Sequence, residues 1–331
     1  MKKFIFIIIS LIVLFIGASG FILGKQYLKS KPQPTDLIPL SFRLKWTHQG
    51  QFAGFYIANQ EGFYQQDGLD VTIKSIDLDR QITTDYLITG EDDIAIGSAD
   101  EVLIARSEGQ PVKAVAVIFK IAPLIYLTKS GSNINSPYDF VGKTIALSPG
   151  QGTYLYESML GQIGIDRTKI KEIPMTDWDL YKCWETADIC PDYATNGLAR
   201  AENDGVATTA IWPNDYGVPF YADVIFTTDS YIQKHPDIVA TFVKDSLEGW
   251  QEAIESPQKA VEATLQFNSE LDKDFQLKAI EISIPLINTG DSKLGWMDPV
   301  VWQKMQDVLV KQGLMKKSVD INTVFTNEFI R

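Results

Sequence analysis

Strand-like and helix-like patterns alternate along this chain, and the alternation occurs twice. Between residues 40 and 119, segments with the two-residue period of strands are separated by segments with helical spacing. A second series follows residue 128, with the strand-like segment KTIALS (143–148) and a helical segment from Thr153 to Ile163 that ends at Gly164. Such alternation is typical of parallel strands covered by helices. The sequence therefore predicts an α/β fold with two lobes, each a mainly parallel sheet flanked by helices.

The length of the chain agrees with two lobes, because single cores stop growing at roughly 250–300 residues and this chain has 331. We assign residues 39–127 and 223–331 to lobe 1 and residues 128–222 to lobe 2. A chain that leaves lobe 1 and returns to it crosses twice, which predicts a hinged cleft. The tail should fold back on lobe 1 with amphipathic helices around 231–256, 257–267, 272–287 and 299–312.

The first residues carry a targeting pattern. Lys2 and Lys3 precede an apolar run from Phe4 to Leu23, and residues 18–20 offer a small-residue cleavage site. The run is also as long as a membrane-spanning helix, so residues 1–23 are either a cleaved signal peptide or a membrane anchor. Residues 24–38, rich in Lys and Pro, predict a tether. Either alternative places the remaining chain outside the cytoplasm, in the periplasm or on the outer face of the membrane.

Composition excludes several classes of function. The net charge of −12 opposes nucleic-acid binding, which needs a basic surface. His48 and His235 are the two histidines of the chain, and G-x-S-x-G, H-E-x-x-H and P-loop motifs are absent from it. Cys183 and Cys190 are too few for a metal site; they form either a disulfide or two buried free thiols. We expect no catalytic residue, metal or cofactor.

An aromatic-rich loop runs into a helix and then a strand in residues 44–71. Trp46, Phe52 and Tyr56 offer ring faces and Gln51 offers hydrogen-bonding groups, the mixture that pockets for planar ligands use. Ordinary packing in the core is the alternative for each ring. The sequence predicts that these four residues line a ligand site.

Two strand-to-helix junctions offer free backbone N–H groups, which suit an anion or a carbonyl oxygen. The loop SPGQGT (148–153) contains Gly150, Gln151 and Gly152, and the junction IGSADE (96–101) contains Ser98. A plain helix-initiating turn, or an N-cap role for Ser98, explains these junctions equally well. We include all four residues among the predicted ligand contacts.

Lobe 2 should add a second wall. Asp188, Tyr193 and Asn196 lie close together in the segment DICPDYATN, and Trp212 follows a strand-like segment. They would supply hydrogen bonds and a second ring face. The alternative is that they are loop residues.

An ordered set of motifs resembles the extracytoplasmic solute-binding proteins of ABC importers that take up thiamine pyrimidine precursors. The resemblance covers about residues 41–331. It rests on W-x9-Y-x-A-x3-GFY-x3-GLDV (46–71), DIAIG (93–97), GKTIA (142–146), YGVPFYADVIF (216–226), GWMDPVVWQ (295–303) and FTNEF (325–329). It implies a type II periplasmic binding protein fold, a monomer, a small-molecule ligand of the formylaminopyrimidine type held between the lobes, and an ABC permease as partner.

Alternatives remain within this resemblance. The same module held by an uncleaved N-terminal helix would be a ligand sensor, and related proteins bind sulfonates or riboflavin-like compounds. The family also includes an enzyme that builds the thiamine pyrimidine from an active-site histidine and pyridoxal phosphate on a lysine. Gly97 and Glu101 stand where that enzyme carries its Lys and His, and its Cys-rich motif has no counterpart around 214–226. The resemblance therefore implies a binding protein.

Overall fold

A computed structural model describes residues 36–148 and 150–330. The predicted signal peptide or anchor at 1–23, and the tether up to residue 35, lie outside the described residues. Within the described ranges, no helix is both long enough and apolar enough to cross a membrane.

The described strands and helices alternate as the sequence predicts. The strands are β1 (Ile38–Arg43), β2 (Leu69–Lys74), β3 (Ile94–Ser98), β4 (Val112–Val117), β5 (Leu124–Lys129), β6 (Thr144–Leu147), β7 (Lys171–Pro174), β8 (Cys190–Tyr193), β9 (Thr208–Ile211) and β10 (Asp223–Thr228). The helices are α1 (Ala53–Gln60), α2 (Phe63–Gln66), α3 (Thr83–Ile88), α4 (Ala99–Ser107), α5 (Gln151–Ile163), α6 (Leu180–Thr186), α7 (Ala199–Asn203), α8 (Asp229–Lys234), α9 (Pro236–Glu255), α10 (Pro257–Phe267), α11 (Lys273–Ile287) and α12 (Pro299–Lys311).

The sheet of lobe 1 has the strand order β2-β1-β3-β10-β4. β1 runs parallel to β2 and to β3, whereas β10 runs antiparallel to both of its neighbours. The buried faces of β3 and β4 are continuous apolar runs, which is typical of a sheet covered by helices on both faces. The predicted α/β class is confirmed, with β10 as the antiparallel exception.

Lobe 2 repeats this arrangement. β8, β5 and β9 form one sheet in that order, β6 pairs with β7 in parallel, and a bridge between Ile145 and Ile189 joins the two sheets. β5 runs antiparallel to β8 and β9. Because β5 begins at Leu124, residues 124–127, which the sequence assigned to lobe 1, pair within the lobe 2 sheet. The chain crosses between the lobes in residues 118–123 and again in residues 212–222.

The helical spacing of residues 54–65 does not produce one continuous helix. The segment is broken at Gly62, whose φ of 73° lies in the left-handed region that favours glycine. The carboxylate of Asp179 caps α6 by accepting from the N–H groups of Tyr181 and Lys182. α6 ends at Thr186, and β8 starts at Cys190. Cys183 on α6 and Cys190 on β8 form a disulfide, with a Cα–Cα distance of 6.2 Å.

The C-terminal tail returns to lobe 1, where α9 crosses α1 at close range. A Cβ atom added to Gly249 on α9 would lie 2.1 Å from the carbonyl oxygen of Gly54 and 2.8 Å from the Cβ of Ala58. The indole of Trp250 covers Gly54, and Phe55 meets the same indole edge-on with ring centroids 5.8 Å apart. Two glycines thus allow the helix backbones to approach closely. This contact anchors the tail against the helix that follows the aromatic loop.

We expect Gly249→Ala to destabilise the fold. The added methyl group has no space between α9 and α1, so overpacking should lower the free energy of unfolding by roughly 1–3 kcal/mol. Gly161→Ala on α5 is the matched control, because its Cβ would meet nothing nearer than the Nζ of Lys311 at 3.4 Å. That substitution should raise stability by roughly 0.5–1 kcal/mol through helix propensity. Urea unfolding of both variants checks this, and equal effects would contradict the close crossing.

Candidate ligand-binding site

The carboxyl ends of strands from both lobes meet at the boundary between the lobes. Lys45 follows β1, Ser98 ends β3, Gln151 begins α5 after β6, and Tyr193 ends β8. In open α/β sheets, this edge is where ligands bind. Eight polar residues gather there, and we call them the cleft cluster: Lys45, Gln51, Ser98, Asp100, Gln151, Tyr154, Tyr193 and Asp223.

An ion pair forms the lobe 1 side of the cleft cluster. The Nζ of Lys45 donates to Oδ1 of Asp223 at 2.8 Å and to Oγ of Ser98 at 2.9 Å. Gln51 donates from Nε2 to the other oxygen of Asp223 at 2.6 Å. Gln49 in turn donates to Oε1 of Gln51 at 2.8 Å. Both oxygens of the buried Asp223 are therefore satisfied.

Charge balance at Lys45 is set by two opposing effects. Burial alone would lower the pKa of Lys45, but Asp223, together with Tyr193 and Asp100, raises that pKa above its ordinary value. The side chain of Asp223 is 0% exposed and that of Lys45 is 14% exposed. Lys45 is thus a charged donor at the lobe boundary, and its side chain keeps a small exposed fraction.

Hydrogen bonds from lobe 2 cross the cleft to one carboxylate of lobe 1. Asp100, in the first turn of α4, accepts from Nε2 of Gln151 at 2.9 Å and from the hydroxyl of Tyr154 at 2.5 Å. Tyr193 donates to Oε1 of Gln151 at 3.0 Å, and the ring of Tyr193 lies 5.9 Å from the Nζ of Lys45. Burial, and then the charge of Asp100, raise the pKa of Tyr154. The two lobes are therefore held together by a continuous polar chain.

The glycine loop before α5 is shaped by close packing. Gly150 has φ 72° at the N-terminus of α5. A Cβ on Gly152 would lie 1.8 Å from the Oγ of Ser148, so only glycine fits there. The carbonyl of Gly152 accepts from the hydroxyl of Tyr126 at 3.0 Å. Gln151, between these two glycines, donates to Asp100.

A π-helix follows β8 and forms the lobe 2 rim of the cleft. It spans Ala194–Leu198, a conformation that is frequent at functional sites. Asp192 lies beneath it: its carboxylate accepts from the N–H of Tyr193 at 2.7 Å and sits where a Cβ on Gly197 would clash at 2.3 Å. Burial raises the pKa of Asp192 to about 7. The carboxyl group therefore takes up a proton near neutral pH while it supports the rim.

A narrow crevice lies between this rim, lobe 1 and the tail. Its volume is about 10 Å³, which is room for no more than one water molecule. It is lined by Gln49, Gln51, Thr195, Asn196, Phe275, Gln276 and Ala279. Oε1 of Gln276 on α11 accepts from the N–H of Gly50 at 2.7 Å. α11 thus contacts both lobes, and the described conformation is closed.

The structure brings together part of the predicted site. Gln51, Ser98, Gln151 and Tyr193 belong to the cleft cluster, Asn196 lines the crevice beside it, and Gly150 and Gly152 hold the loop that aims Gln151. Ser98 makes no side-chain capping bond to α4; its hydroxyl accepts from Lys45 instead.

Five predicted residues lie elsewhere. Phe52 and Tyr56 are 0% exposed, and Tyr56 stacks on Phe267 in the core with ring centroids 4.3 Å apart. Trp46 is 42% exposed, and Trp212 packs against the apolar cores. Asp188 accepts from the N–H of Thr144 at the opposite end of β6 from the cleft. The rings that border the polar groups are those of Tyr193 and Phe275.

Sequence reasoning missed four members of the cleft cluster: Lys45, Asp100, Tyr154 and Asp223. Lys45 and Asp223 lie beside strand termini, and Asp100 lies in the first turn of a helix after a strand. Neighbouring parallel strands end at the same edge of a sheet, so the sequence could have predicted that the residues just after β1 and β3 lie at the cleft. Tyr154 gave no such signal, since it reads as an apolar position of an amphipathic helix.

His48 and the two positions compared with the enzyme, Gly97 and Glu101, do not belong to the cleft cluster. His48 packs against Tyr56 and Phe267, and burial lowers its pKa. A Cβ on Gly97 would lie 2.4 Å from Oγ1 of Thr83, so a lysine does not fit there. Glu101 accepts from Thr83 and from the N–H of Thr84. Among residues 36–148 and 150–330, no group of three His, Cys, Asp or Glu residues is placed to hold a metal ion.

Two α/β lobes of equal topology, with polar residues facing each other at the sheet edges, define a periplasmic binding protein fold. The periplasmic aliphatic sulphonate-binding protein SsuA from Escherichia coli shares it, with a TM-score of 0.69 and 14% identity over 88% of this chain and 99% of that one. The chain belongs to the NMT1/THI5-like family, whose model matches residues 49–260.

Relatives in sequence cover most of the chain. The riboflavin-binding protein RibY from Chloroflexus aurantiacus is 27% identical over 90% of this chain and 87% of its own length. The formylaminopyrimidine-binding protein from Halalkalibacterium halodurans is 21% identical over 86% of this chain and 88% of its own. Weaker matches, at 20% and 16% identity, carry the name 4-amino-5-hydroxymethyl-2-methylpyrimidine phosphate synthase.

We expect Asp192 to make stability fall as pH rises from about 4 to about 7. Its pKa is raised from 3.8 to about 7 on folding, so in this window the folded state holds a proton that the unfolded state has released. The free energy of unfolding should fall by roughly 3 kcal/mol relative to Asp192→Asn. Urea unfolding at several pH values measures the difference between the two proteins.

Comparing the wild type with Asp192→Asn separates the effect of Asp192 from that of two other carboxyl groups. Burial also raises the pKa of Glu101 and that of Asp245, the latter to about 6. Both groups are present in the wild type and the variant. Asp188→Asn, on the exposed surface four residues earlier, is the matched control for the loss of a carboxylate. Parallel profiles for the wild type and Asp192→Asn would show that Asp192 is not the titrating group.

Proposed function

We propose that this protein binds a planar nitrogen heterocycle between its lobes and delivers it to the permease of an ABC importer outside the cytoplasm. One observation carries the proposal. Asp100 of lobe 1 accepts hydrogen bonds from Gln151 and Tyr154 of lobe 2, so polar side chains of both lobes converge on one shielded place. Such convergence of a few polar groups beside aromatic rings is typical of small-molecule sites.

The closed conformation supports capture by lobe movement. The crevice of about 10 Å³ is too small for a ring compound, so a ligand enters when the lobes separate. Separation has to break the bonds from Asp100 to Gln151 and Tyr154, and the two crossings at 118–123 and 212–222 provide the hinge. A ligand that replaces these bonds restores closure. The closed surface is then the form that a permease distinguishes from the open one.

The chemistry of the cleft cluster fits a heterocycle with amino and carbonyl groups or ring nitrogens. The carboxylate of Asp100 accepts from a ligand amino group in a charge-assisted bond. Gln151 offers both a donor and an acceptor. The ring of Tyr193 offers a stacking face, which contributes roughly 0.5–1.5 kcal/mol beyond area burial. Hydrogen bonds therefore supply most of the discrimination between ligands.

The relatives support the same class of ligand. Riboflavin and formylaminopyrimidine, named for two relatives, are both nitrogen heterocycles. A thiamine pyrimidine precursor of the formylaminopyrimidine type is the first ligand to test, and riboflavin is the second because the riboflavin-binding relative has the higher identity. The absence of a histidine from the cleft cluster, and the space restriction at Gly97, favour binding over pyrimidine synthesis.

We expect isothermal titration calorimetry to detect formylaminopyrimidine or riboflavin binding with a saturable one-to-one stoichiometry. Ethanesulfonate, which is not aromatic, is the comparison compound and should give no saturable heat. Failure of both heterocycles to bind would refute the proposed ligand class, whether or not ethanesulfonate binds.

Tyr193→Phe should weaken binding of the heterocycle by about three- to tenfold, because the hydroxyl that holds Gln151 is lost. Tyr181→Phe is the matched control: it removes a hydroxyl that donates to Asp204 on the exposed surface of lobe 2. The dissociation constant of Tyr193→Phe should therefore rise, whereas that of Tyr181→Phe should match the wild type. An equal affinity for Tyr193→Phe and Tyr181→Phe would place the ligand away from the cleft cluster.

A further inference from the structure

The Lys45–Asp223 ion pair of the cleft cluster offers a hydrogen-bond donor without a net charge. The ammonium group of Lys45 has three N–H groups, of which Asp223 and Ser98 accept two. The group lies 5.9 Å from the ring of Tyr193 on the opposite lobe. The remaining N–H is therefore placed to serve a ligand at the lobe boundary, while the carboxylate of Asp223 cancels the charge.

The neighbouring charges are acidic. Asp100 lies on the same edge of lobe 1 and contributes to the electrostatic environment of Lys45. Three arginines of lobe 1 are engaged elsewhere: Arg43 with Asp92 at 2.7 Å, Arg80 with Glu91 at 2.7 Å and Arg106 with Asp229 at 2.5 Å. Lys45 is thus the single cation of the cleft cluster, and it faces two carboxylates.

We propose that Asp223 is a specificity-determining residue, which makes the cleft accept a neutral ligand and reject a sulfonate or carboxylate. The proposal rests on the proposed function, since it names the charge class of the ligand for the same cleft. An anion that approached Lys45 would face repulsion from Asp223 and Asp100 and would compete for a cation that is already neutralised. A ring nitrogen or carbonyl oxygen meets no such repulsion.

Gln51 is a second hydrogen-bond donor that Asp223 holds in place. Its Nε2 donates one N–H to Asp223 at 2.6 Å and keeps a second N–H. Asp223 therefore orients two donors, Lys45 and Gln51, that come from different parts of the aromatic loop. A neutral acceptor takes the remaining N–H groups as they stand, whereas an anion that approaches them meets the carboxylate of Asp223 and is repelled.

The test is the charge selectivity of Asp223→Asn. This variant keeps the size of the side chain and releases the positive charge of Lys45. Calorimetry with ethanesulfonate, formylaminopyrimidine and riboflavin should show saturable ethanesulfonate binding to this variant, where the wild type gives no saturable heat. Asp188→Asn, the same change outside the cleft, should show no gain. A folded Asp223→Asn variant that discriminates as the wild type does would overturn the proposal.

A double variant covers the case in which Asp223→Asn does not fold, because an unpaired buried charge is strongly destabilising. Lys45→Gln with Asp223→Asn replaces the pair by two neutral amides. It should still reject ethanesulfonate and should bind the heterocycle at least tenfold more weakly, since the N–H of Lys45 is gone. Unchanged heterocycle affinity, or a gain in ethanesulfonate affinity, in this variant would overturn the proposal.

The failure of this inference differs from the failure of the proposed function. Wild-type protein that binds neither heterocycle refutes the proposed ligand class. Wild-type protein that binds a heterocycle, together with a folded Asp223→Asn variant that gains no ethanesulfonate affinity, refutes only the role of Asp223.

Discussion

The insertion of β10 between β3 and β4 is the constraint on which the cleft depends. β10 is the strand by which the chain returns from lobe 2, and it pairs with both neighbours in antiparallel register. That register sets Asp223 opposite Ser98. Lys45, at the end of the adjoining β1, then reaches both residues. A shift of one residue in β10 would turn Asp223 to the other face of the sheet and leave Lys45 without its partner.

Lobe 2 shows the same principle. The bridge between Ile145 and Ile189 links its two sheets, which gives the strand order β7-β6-β8-β5-β9. The inserted strand, β5, is again the one that arrives from the other lobe. Each crossing strand therefore starts at the cleft edge of the lobe that it enters. The first crossing is secured by Lys120, which donates to the carbonyl oxygens of Ser292 and Lys293 in the tail. The hinge and the ligand-facing edge are consequently parts of one arrangement.

The sequence predicts the fold well because strand and helix periods are local signals. Helical spacing places the bounds of α10, α11 and α12 within one residue, and Ser98, at a strand end, lies in the cleft cluster. The aromatic loop is harder, because Phe52 and Tyr56 read equally well as a ligand wall and as core. The Lys45–Asp223 pair is not accessible to local patterns, since 178 residues separate its members and strand register alone unites them.

The placement of that pair explains why a chain of net charge −12 keeps a buried ion pair at its cleft. Buried ion pairs contribute little to stability compared with apolar residues of similar volume, because desolvation offsets their attraction. In the proposed function their benefit is orientation, because Asp223 holds the donors of Lys45 and Gln51 in place and so lowers the ordering cost of ligand binding. Asp100 orients side chains across the cleft in the same way, because its two oxygens accept hydrogen bonds from Gln151 and Tyr154 of the opposite lobe. In the proposed function, ligand binding exchanges one set of oriented hydrogen bonds for another, and this exchange couples recognition to closure.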